Sequence, residues 1–512
     1  MDNFKKYTFE IQNDEYWYGP VVDDGTKYPL NINSSYEVDL EPNKSPNQVN
    51  PLLLSTKGRY IWCDSGFKLK VKNGVIEILS CKEEPKMYIG GSTLKEAFLH
   101  ASKSFFKPNK IMPPKEFFIK PQYNTWIELL YNQTQDGVLE YAENIIKNDM
   151  PAGIIMIDDG WSDYYGKWEF NVGKFPNPKE MVEKLHNKGF KVMLWTCPFI
   201  TPDTVEFKML RDKGYLIRNQ DGEVSIKKWW NGYSAVLDIT NKEAVKWYHE
   251  QNKNLMDKYG IDGFKFDAGD ANFYSDNDLT YEKIDANKHS QLWAELGMEY
   301  EFNEYRAAFK TAGLNLVQRL ADKNHSWETN GVASLIPNQL TQGILGYAYT
   351  CPDMIGGGEY LNFLENSDNL DEELFVRYAQ CAVLMPMMQF SAAPWRVLNK
   401  QNFKYCKDAA WKHVKYADYI NELVKHASET GEPIVRFMEY EFPNEGLENV
   451  TSQFMLGKKY LVAPVIEKNL DYKHIYLPTG KWCDDNGNII KGPKKLSVKT
   501  DLGKLHIYKL ED

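Results

Sequence analysis

The sequence predicts an α/β chain: a (β/α)8 TIM barrel preceded by an N-terminal β-sandwich domain and followed by a small C-terminal β-sandwich. Three observations predict it. From about residue 120 to 430, short apolar runs alternate with helical patterns, the texture of repeated βα units. On both sides of that stretch the two-residue alternation of half-buried strands takes over. Acidic residues stand directly after several of the apolar runs, at the strand ends where a parallel barrel gathers its ligands. The boundaries fall at 1–115, 116–430 and 431–512, and 512 residues exceed what one core holds.

In the first domain, Tyr7-Thr8-Phe9-Glu10-Ile11 and Phe67-Lys68-Leu69-Lys70-Val71 alternate apolar with polar. Val75-Ile76-Glu77-Ile78-Leu79 follows an Asn73-Gly74 hairpin signal, and the Pro- and Asn-rich stretch 41–51 reads as loop. In the barrel, Thr125-Trp126-Ile127-Glu128-Leu129-Leu130 is the expected first strand. Thr134 caps a helix that places Val138, Leu139, Ala142, Ile145 and Ile146 on one face. Gly153-Ile154-Ile155-Met156-Ile157 and Lys191-Val192-Met193-Leu194-Trp195 are the next strands, with a helix over 181–188 between them. Thr240-Asn241-Lys242-Glu243 reads as a capping box, opening the helix before Gly260-Ile261-Asp262-Gly263-Phe264. Later strands are expected at 316–320, 347–350 and 387–390, and helices at 335–344, 372–384 and 405–424. No Gly-rich phosphate fingerprint follows any strand, which counts against a dinucleotide-binding sheet. Beyond 430, Gln453-Phe454-Met455-Leu456, Tyr460-Leu461-Val462-Ala463 and His474-Ile475-Tyr476-Leu477 are short strands separated by glycine turns.

The net charge of −10 argues against nucleic acid or an anionic membrane as partner. Aromatic residues reach 14%, which suits rings that pack on sugars and equally suits a large aromatic core. The N-terminus, Met1-Asp2-Asn3-Phe4-Lys5-Lys6, lacks the apolar stretch of a signal peptide, and no run is long enough to span a bilayer. The seven cysteines are dispersed and without CxxC spacing, so reduced thiols in a cytoplasmic protein are expected, a secreted form with its signal removed staying open. Homo-oligomerisation also stays open.

The acidic strand ends carry the chemistry. Lys265-Phe266-Asp267-Ala268-Gly269-Asp270 closes one apolar run, placing Asp267 and Asp270 at a pocket's lip and Lys265 on the face of Asp267. Asp158 and Asp159 close another run. Asp353 lies in Cys351-Pro352-Asp353-Met354-Ile355-Gly356-Gly357-Gly358, and Asp322 in Arg319-Leu320-Ala321-Asp322-Lys323. Any one of them alone reads more readily as structural than as catalytic. Together, at the mouth of one barrel, they suggest paired carboxylates for glycoside hydrolysis or a divalent metal site. The nine His form no cluster at ligand spacing, so neither metal nor cofactor is expected, and no Ser or Cys sits in a nucleophile elbow. A carbohydrate-binding barrel without hydrolysis is the competing reading.

These motifs, in this order, resemble glycoside hydrolase family 31, the retaining α-glycosidases. Ile157-Asp158-Asp159-Gly160-Trp161, Phe175-Pro176-Asn177-Pro178 and Trp195-Thr196-Cys197-Pro198 are similar to the family's second and third strands. The Lys265–Asp270 hexapeptide resembles the nucleophile motif K-x-D-x-G-E, and Asp353-Met354-Ile355-Gly356-Gly357 a later D-x-G-G element. Phe454-Met455-Leu456-Gly457 and Leu461-Val462-Ala463-Pro464 resemble its C-terminal sandwich. Trp229-Trp230, Ser334-Leu335-Ile336-Pro337 and Pro394-Trp395-Arg396 extend the likeness to the branch of the myogenesis-regulating glycosidase, an α-galactosidase. The resemblance implies an exo-acting hydrolase of terminal α-linked hexoses acting on oligosaccharides or α-glycosides, α-galactosides first, with α-glucosides and α-xylosides as alternatives. It implies Asp267 as nucleophile, Asp322 as general acid/base, Arg306 as a binding arginine and Asp158 as the carboxylate that holds sugar hydroxyls. A little-solvated Asp322 is expected, so that its proton affinity rises. Asp159, Lys265, Asp270 and Asp353 are expected at the substrate, and Trp126, Trp161, Trp195, Trp229, Trp230 and Trp327 as pocket walls or core; Lys228 and Asn231 are expected near polar groups of the sugar. The chain departs from the family pattern at Asp270, where a Glu is usual, at Asp322, which lacks the Trp-x-Gly-Asp setting, and near Ser391, where many members carry a His.

Overall fold

A computed structural model of the chain describes residues 4–511; Met1-Asp2-Asn3, part of the polar N-terminus, lies outside the described residues. The centre is a parallel sheet of nine segments. Two of them, Thr350–Cys351 and Met354–Ile355, are one strand interrupted at Pro352-Asp353. Thr350–Cys351 pairs with Val317–Arg319, and Met354–Ile355 pairs with Gln389–Phe390, which in turn pairs with Gln122–Asn124. The interrupted strand therefore closes the ring, giving eight strands from nine segments. The interruption has local causes: Pro352 has no N–H for a ladder, and Asp353 sits at φ 79°, a left-handed backbone unusual outside glycine.

The ring runs in chain order through Gln122–Asn124, Ile154–Ile157, Lys191–Thr196, Gly263–Phe266, Phe302–Tyr305, Val317–Arg319, the split strand and Gln389–Phe390. Its strands are buried but for the half-buried Lys191 at the start of the third, and side-chain oxygens start several of the surrounding helices. Thr134 caps Gln135–Lys147, Asn177 caps Pro178–Asn187 and Asp285 caps Ala286–Leu296. Gly260, at φ 79°, ends Lys242–Tyr259 in the left-handed conformation that favours glycine. That helix is capped by Asn241; Thr240 instead donates its hydroxyl to Asp238, so the expected capping box does not form.

The first strand corrects the sequence expectation. It covers Gln122–Asn124, while Trp126–Leu129 is a helical turn. The Asn124 side-chain oxygen accepts the Trp126 N–H at 2.8 Å, an Asx turn that takes the chain off the sheet where its apolar pattern continues. The strand Phe302–Tyr305, with Glu304 in its middle, was not anticipated.

The N-terminal domain holds two four-stranded antiparallel sheets. Its hairpin between Lys68–Lys72 and Val75–Ser80 turns at Asn73 (φ 52°) and Gly74 (φ 74°), as an Asn-Gly turn should. The loop 41–51 leaves this domain and docks on the barrel: Gln48–Val49 pairs with Ala308–Phe309 as a parallel ladder. The buried Gln48 amide donates to the Arg306 and Arg319 carbonyls, at 2.5 and 2.9 Å, and accepts from Gln342 at 2.8 Å. Gln48→Ala strands these groups in a dry interface. It is expected to lower unfolding stability by about 1–3 kcal/mol, read by chemical denaturation. The C-terminal domain is one six-stranded sheet around its own small core of Met438, Met455, Leu461, Ile475 and Trp482. No helix among the described residues is long and apolar enough to cross a membrane. Cys63, Cys197, Cys351, Cys381 and Cys406 are buried thiols.

Candidate active site

A cavity of about 420 Å³ opens at the C-terminal end of the barrel strands. The fourth strand brings Lys265 and Asp267 to it, the second Asp158 and Asp159, the third Trp195, and the fifth Arg306, directly after Tyr305. Two-residue alternation puts Lys265 and Asp267 on one face, and both point in.

Its inner end is an ion-paired floor. Lys265 Nζ donates to Asp158 Oδ2 at 2.6 Å, each side chain only 4% exposed. Arg306 forks onto both oxygens of Asp270, at 2.8 and 2.6 Å, and its Nε donates to Asp267 Oδ1 at 3.1 Å. Asp267 also accepts from Trp195 Nε1 at 3.1 Å and from the Ala268 N–H at 2.8 Å. Ala268 turns that N–H onto the carboxylate by adopting φ 59°, backbone strain beside the Asp267 side chain. Burial pushes the Asp267 carboxyl up, but the Arg306, Lys265 and Arg319 cations outweigh it and hold it well below the usual carboxylate range.

Asp159 behaves oppositely. Burial and the adjacent Asp158 raise it to about 7, although Tyr165 OH and Asn231 Nδ2 both donate to its Oδ2. Near neutral pH such a carboxyl can donate a hydrogen bond as well as accept one.

The outer end is wetter and more aromatic. Asp322 stands there with its side chain 37% exposed, its Oδ1 2.7 Å from Arg319 Nη1. The expectation of a little-solvated Asp322 is thus corrected: it follows the sixth strand at the rim, where solvent reaches it. Trp230, half exposed, packs on Phe273 and spreads over the Arg306 guanidinium. Trp126, Tyr131 and Tyr360 meet edge to face on the opposite side.

Of the residues expected at the site, Trp126, Asp158, Asp159, Trp195, Lys265, Asp267, Asp270, Arg306 and Asp322 line this cavity. Six others do not. Trp229 is buried behind it, stacked on Phe199 at 4.2 Å with its Nε1 on Ser234, and its neighbour Trp230 takes the wall. Trp327 turns its Nε1 to Asp371. Asp353 is wholly buried, with Oδ1 on Arg319 and Oδ2 on the N–H groups of Lys323 and Gly358. Trp161 is core, its Nε1 on the Trp195 carbonyl. Asn231 touches the site through two lining residues, donating to Asp159 and accepting from Tyr131, and Lys228 is exposed and lines no part of the cavity.

Sequence reasoning missed Pro46, Tyr131, Asn272, Phe273, Glu359 and Tyr360. Glu359 had a signal, an acidic residue just past the glycine run that ends the seventh strand. Pro46 had none: its carbonyl accepts from Arg306 Nη1 at 2.6 Å because a loop of another domain is folded against the barrel. Among the described residues no three His, Cys, Asp or Glu side chains are grouped to hold a metal ion.

The glycosyl hydrolases family 31 TIM-barrel domain matches residues 112–423, and the family 31 C-terminal domain matches 431–509. The chain belongs to glycoside hydrolase family 31. The myogenesis-regulating glycosidase of Mus musculus is 33% identical over 393 residues, covering 75% of this chain and 55% of its own length. Alpha-xylosidase XylQ of Lactiplantibacillus pentosus is 24% identical over 481 residues, covering 87% and 60%. The chain thus spans little more than half the length of these relatives. In fold it is similar to a family 31 dextranase of Flavobacterium johnsoniae, with TM-score 0.86 at 23% identity over 99% of this chain and 66% of that one.

Proposed function

We propose that the chain is an exo-acting retaining α-glycoside hydrolase in which Asp267 is the nucleophile and Asp322 the general acid/base. The observation that carries this reading is Asp267 itself. It is a carboxylate held ionised by Arg306 and Lys265, with N–H donors aimed at both oxygens, at the inner end of a cavity whose rim holds a second, solvent-reachable carboxyl. Asp267 attacks the anomeric carbon while Asp322 gives its proton to the leaving oxygen. Water, deprotonated by Asp322, then opens the glycosyl-enzyme, and two inversions give net retention. The inner end is closed by the Asp158–Lys265 pair, which suits one terminal sugar residue and therefore exo action. The aromatic rim around Trp230, Tyr131 and Tyr360 suits the aglycone.

The lining also sets the charge of the substrate. Six acidic side chains, Asp158, Asp159, Asp267, Asp270, Asp322 and Glu359, line the cavity against two basic ones, Lys265 and Arg306, with Arg319 behind Asp322. A neutral glycoside is favoured, and a uronate or sulfonate analogue is expected to react at least about tenfold more slowly. A like charge about 6 Å away is worth about 3 kcal/mol at a protein's effective dielectric. Among neutral sugars, the likeness to the myogenesis-regulating glycosidase branch puts α-galactosides first, with α-glucosides and α-xylosides as rivals. A panel of p-nitrophenyl α-glycosides differing by one hydroxyl each, with one uronate, tests this. Turnover of the galactoside above the others supports the choice of sugar. Failure of every member would remove hydrolysis and leave a binding barrel.

A further inference from the structure

An arginine bound to Asp322 would, by itself, strip it of the proton that a general acid must hold. Arg319, however, does not belong to Asp322 alone. Its guanidinium is 1% exposed, its Nη1 donates to Asp353 Oδ1 at 3.0 Å as well as to Asp322, and its Nε lies 3.5 Å from Glu304 Oε1. Three carboxyls share one buried cation, so ionising all three would leave two surplus negative charges beside the barrel floor.

The three differ in what surrounds them. Asp353 accepts from Arg319, from the Lys323 N–H at 2.7 Å and from the Gly358 N–H at 3.1 Å. Donors face both of its oxygens, so a proton on either would point at another N–H. Burial pushes Asp353 up to about 7 although Arg319 pulls it down, and what holds a negative charge there is its setting: Arg319 and two backbone N–H groups donate to its two oxygens. Glu304, raised by burial, has one oxygen on Gln389 at 3.1 Å and no hydrogen-bond donor at the other. Asp322 alone opens on the cavity, where it can exchange a proton with substrate and water.

We propose that Asp353 is a positioning residue, the standing counter-ion of Arg319, which leaves Asp322 free to hold the proton it gives to the leaving group. This rests on the acid/base assignment of Asp322. In each cycle the proton passes from Asp322 to the glycosidic oxygen as the C–O bond breaks, and is regained from the water that opens the intermediate. Asp353 exchanges none. The other groups facing Asp353 do not compete for it. Burial pushes the Cys351 thiol and the Tyr378 hydroxyl up, so both stay neutral, and Lys323 Nζ is paired with Asp23 at 3.3 Å.

The test is the pH profile of kcat/KM on a disaccharide, which needs the acid, and on a glycosyl fluoride, which does not. In Asp353→Asn, Arg319 turns more of its charge on Asp322. The alkaline limb should move to lower pH by about one unit, costing the disaccharide about tenfold at neutral pH while the fluoride stays within about threefold. The amide at 353 would face the Lys323 and Gly358 donors, so Glu304→Gln is made alongside. It removes a carboxyl that lies against the same cation, and the new amide oxygen can take the place of Oε2 in accepting from Gln389 Nε2. It should move the limb in the same direction by less. Asp159, which also titrates near 7, is unchanged in both variants and moves nothing. An unmoved limb in Asp353→Asn, or in Glu304→Gln should the first not fold, overturns the proposal. So does a loss equal at every pH and for both substrates. If Asp322→Ala shows no leaving-group dependence, it is the acid/base assignment itself that fails.

Discussion

Asp267→Asn is expected to lower kcat by on the order of 10⁵-fold, about 7 kcal/mol of barrier, with the fold intact. The substitution keeps the volume and leaves an oxygen for the Arg306 and Ala268 donors, while the bidentate Arg306–Asp270 pair is untouched. What changes is nucleophilicity: an amide cannot attack the anomeric carbon. The new NH2 faces Trp195 Nε1, a local conflict worth about 1–3 kcal/mol that thermal denaturation will register. The pH dependence of that difference has a definite sign. Since the folded pKa of Asp267 lies below the ordinary carboxylate value, its ionised form contributes stability above about pH 4. That contribution is lost as pH falls through the folded value, so wild type and variant should converge in acid. A 5-fluoro-glycosyl fluoride should label the wild-type peptide that contains Asp267. Near-normal turnover in the variant, or an adduct on another peptide, would reassign the nucleophile.

The barrel and its inner site were legible in the sequence for one reason. Strand ends converge, so acidic residues closing separate apolar runs had to meet, and Asp158, Asp159 and Asp267 do. Where reading failed, a side chain had redirected the backbone or another domain had intervened. Trp126 continues an apolar run, yet Asn124 turns the chain away from the sheet two residues earlier. Trp229 and Trp230 are chemically alike and adjacent; only the hairpin of Ile226–Trp229 and Gly232–Val236 decides which is buried. Asp353 looked like a further strand-end acid, but the strand is split around it and its carboxyl is turned into the wall, onto Arg319. The contribution of the 41–51 loop has no local signature, because its partners lie some 260–270 residues away, as the Gln48 contacts to Arg306 and Arg319 show.

Asp322→Ala should separate substrates by leaving group. General acid catalysis is worth about 10²–10⁴-fold, so a disaccharide is expected to lose on the order of 10³-fold while a glycosyl fluoride loses about tenfold or less. Fluoride departs without a proton, so only the second step, where Asp322 acts as base, slows for that substrate. Its exposure at the rim adds a second signature: the truncated side chain leaves room for a small anion. Azide should restore part of the rate and yield a glycosyl azide of retained α configuration, since it attacks the Asp267 intermediate without needing a base. The competing donor is Glu359. Glu328 is exposed and lines no part of the cavity, and Asp353 is sealed behind Arg319, but Glu359 stands in the cavity wall. It is the weaker choice because its carboxylate is already engaged, capping Tyr360–Asn366 by accepting the Asn362 N–H at 2.7 Å. If Glu359 is the acid, Glu359→Gln will carry the leaving-group dependence, while Asp322→Ala will slow every substrate alike and ignore azide. If Asp322 is, Glu359→Gln should stay within about tenfold of wild type on both substrates, the loss expected of a binding contact.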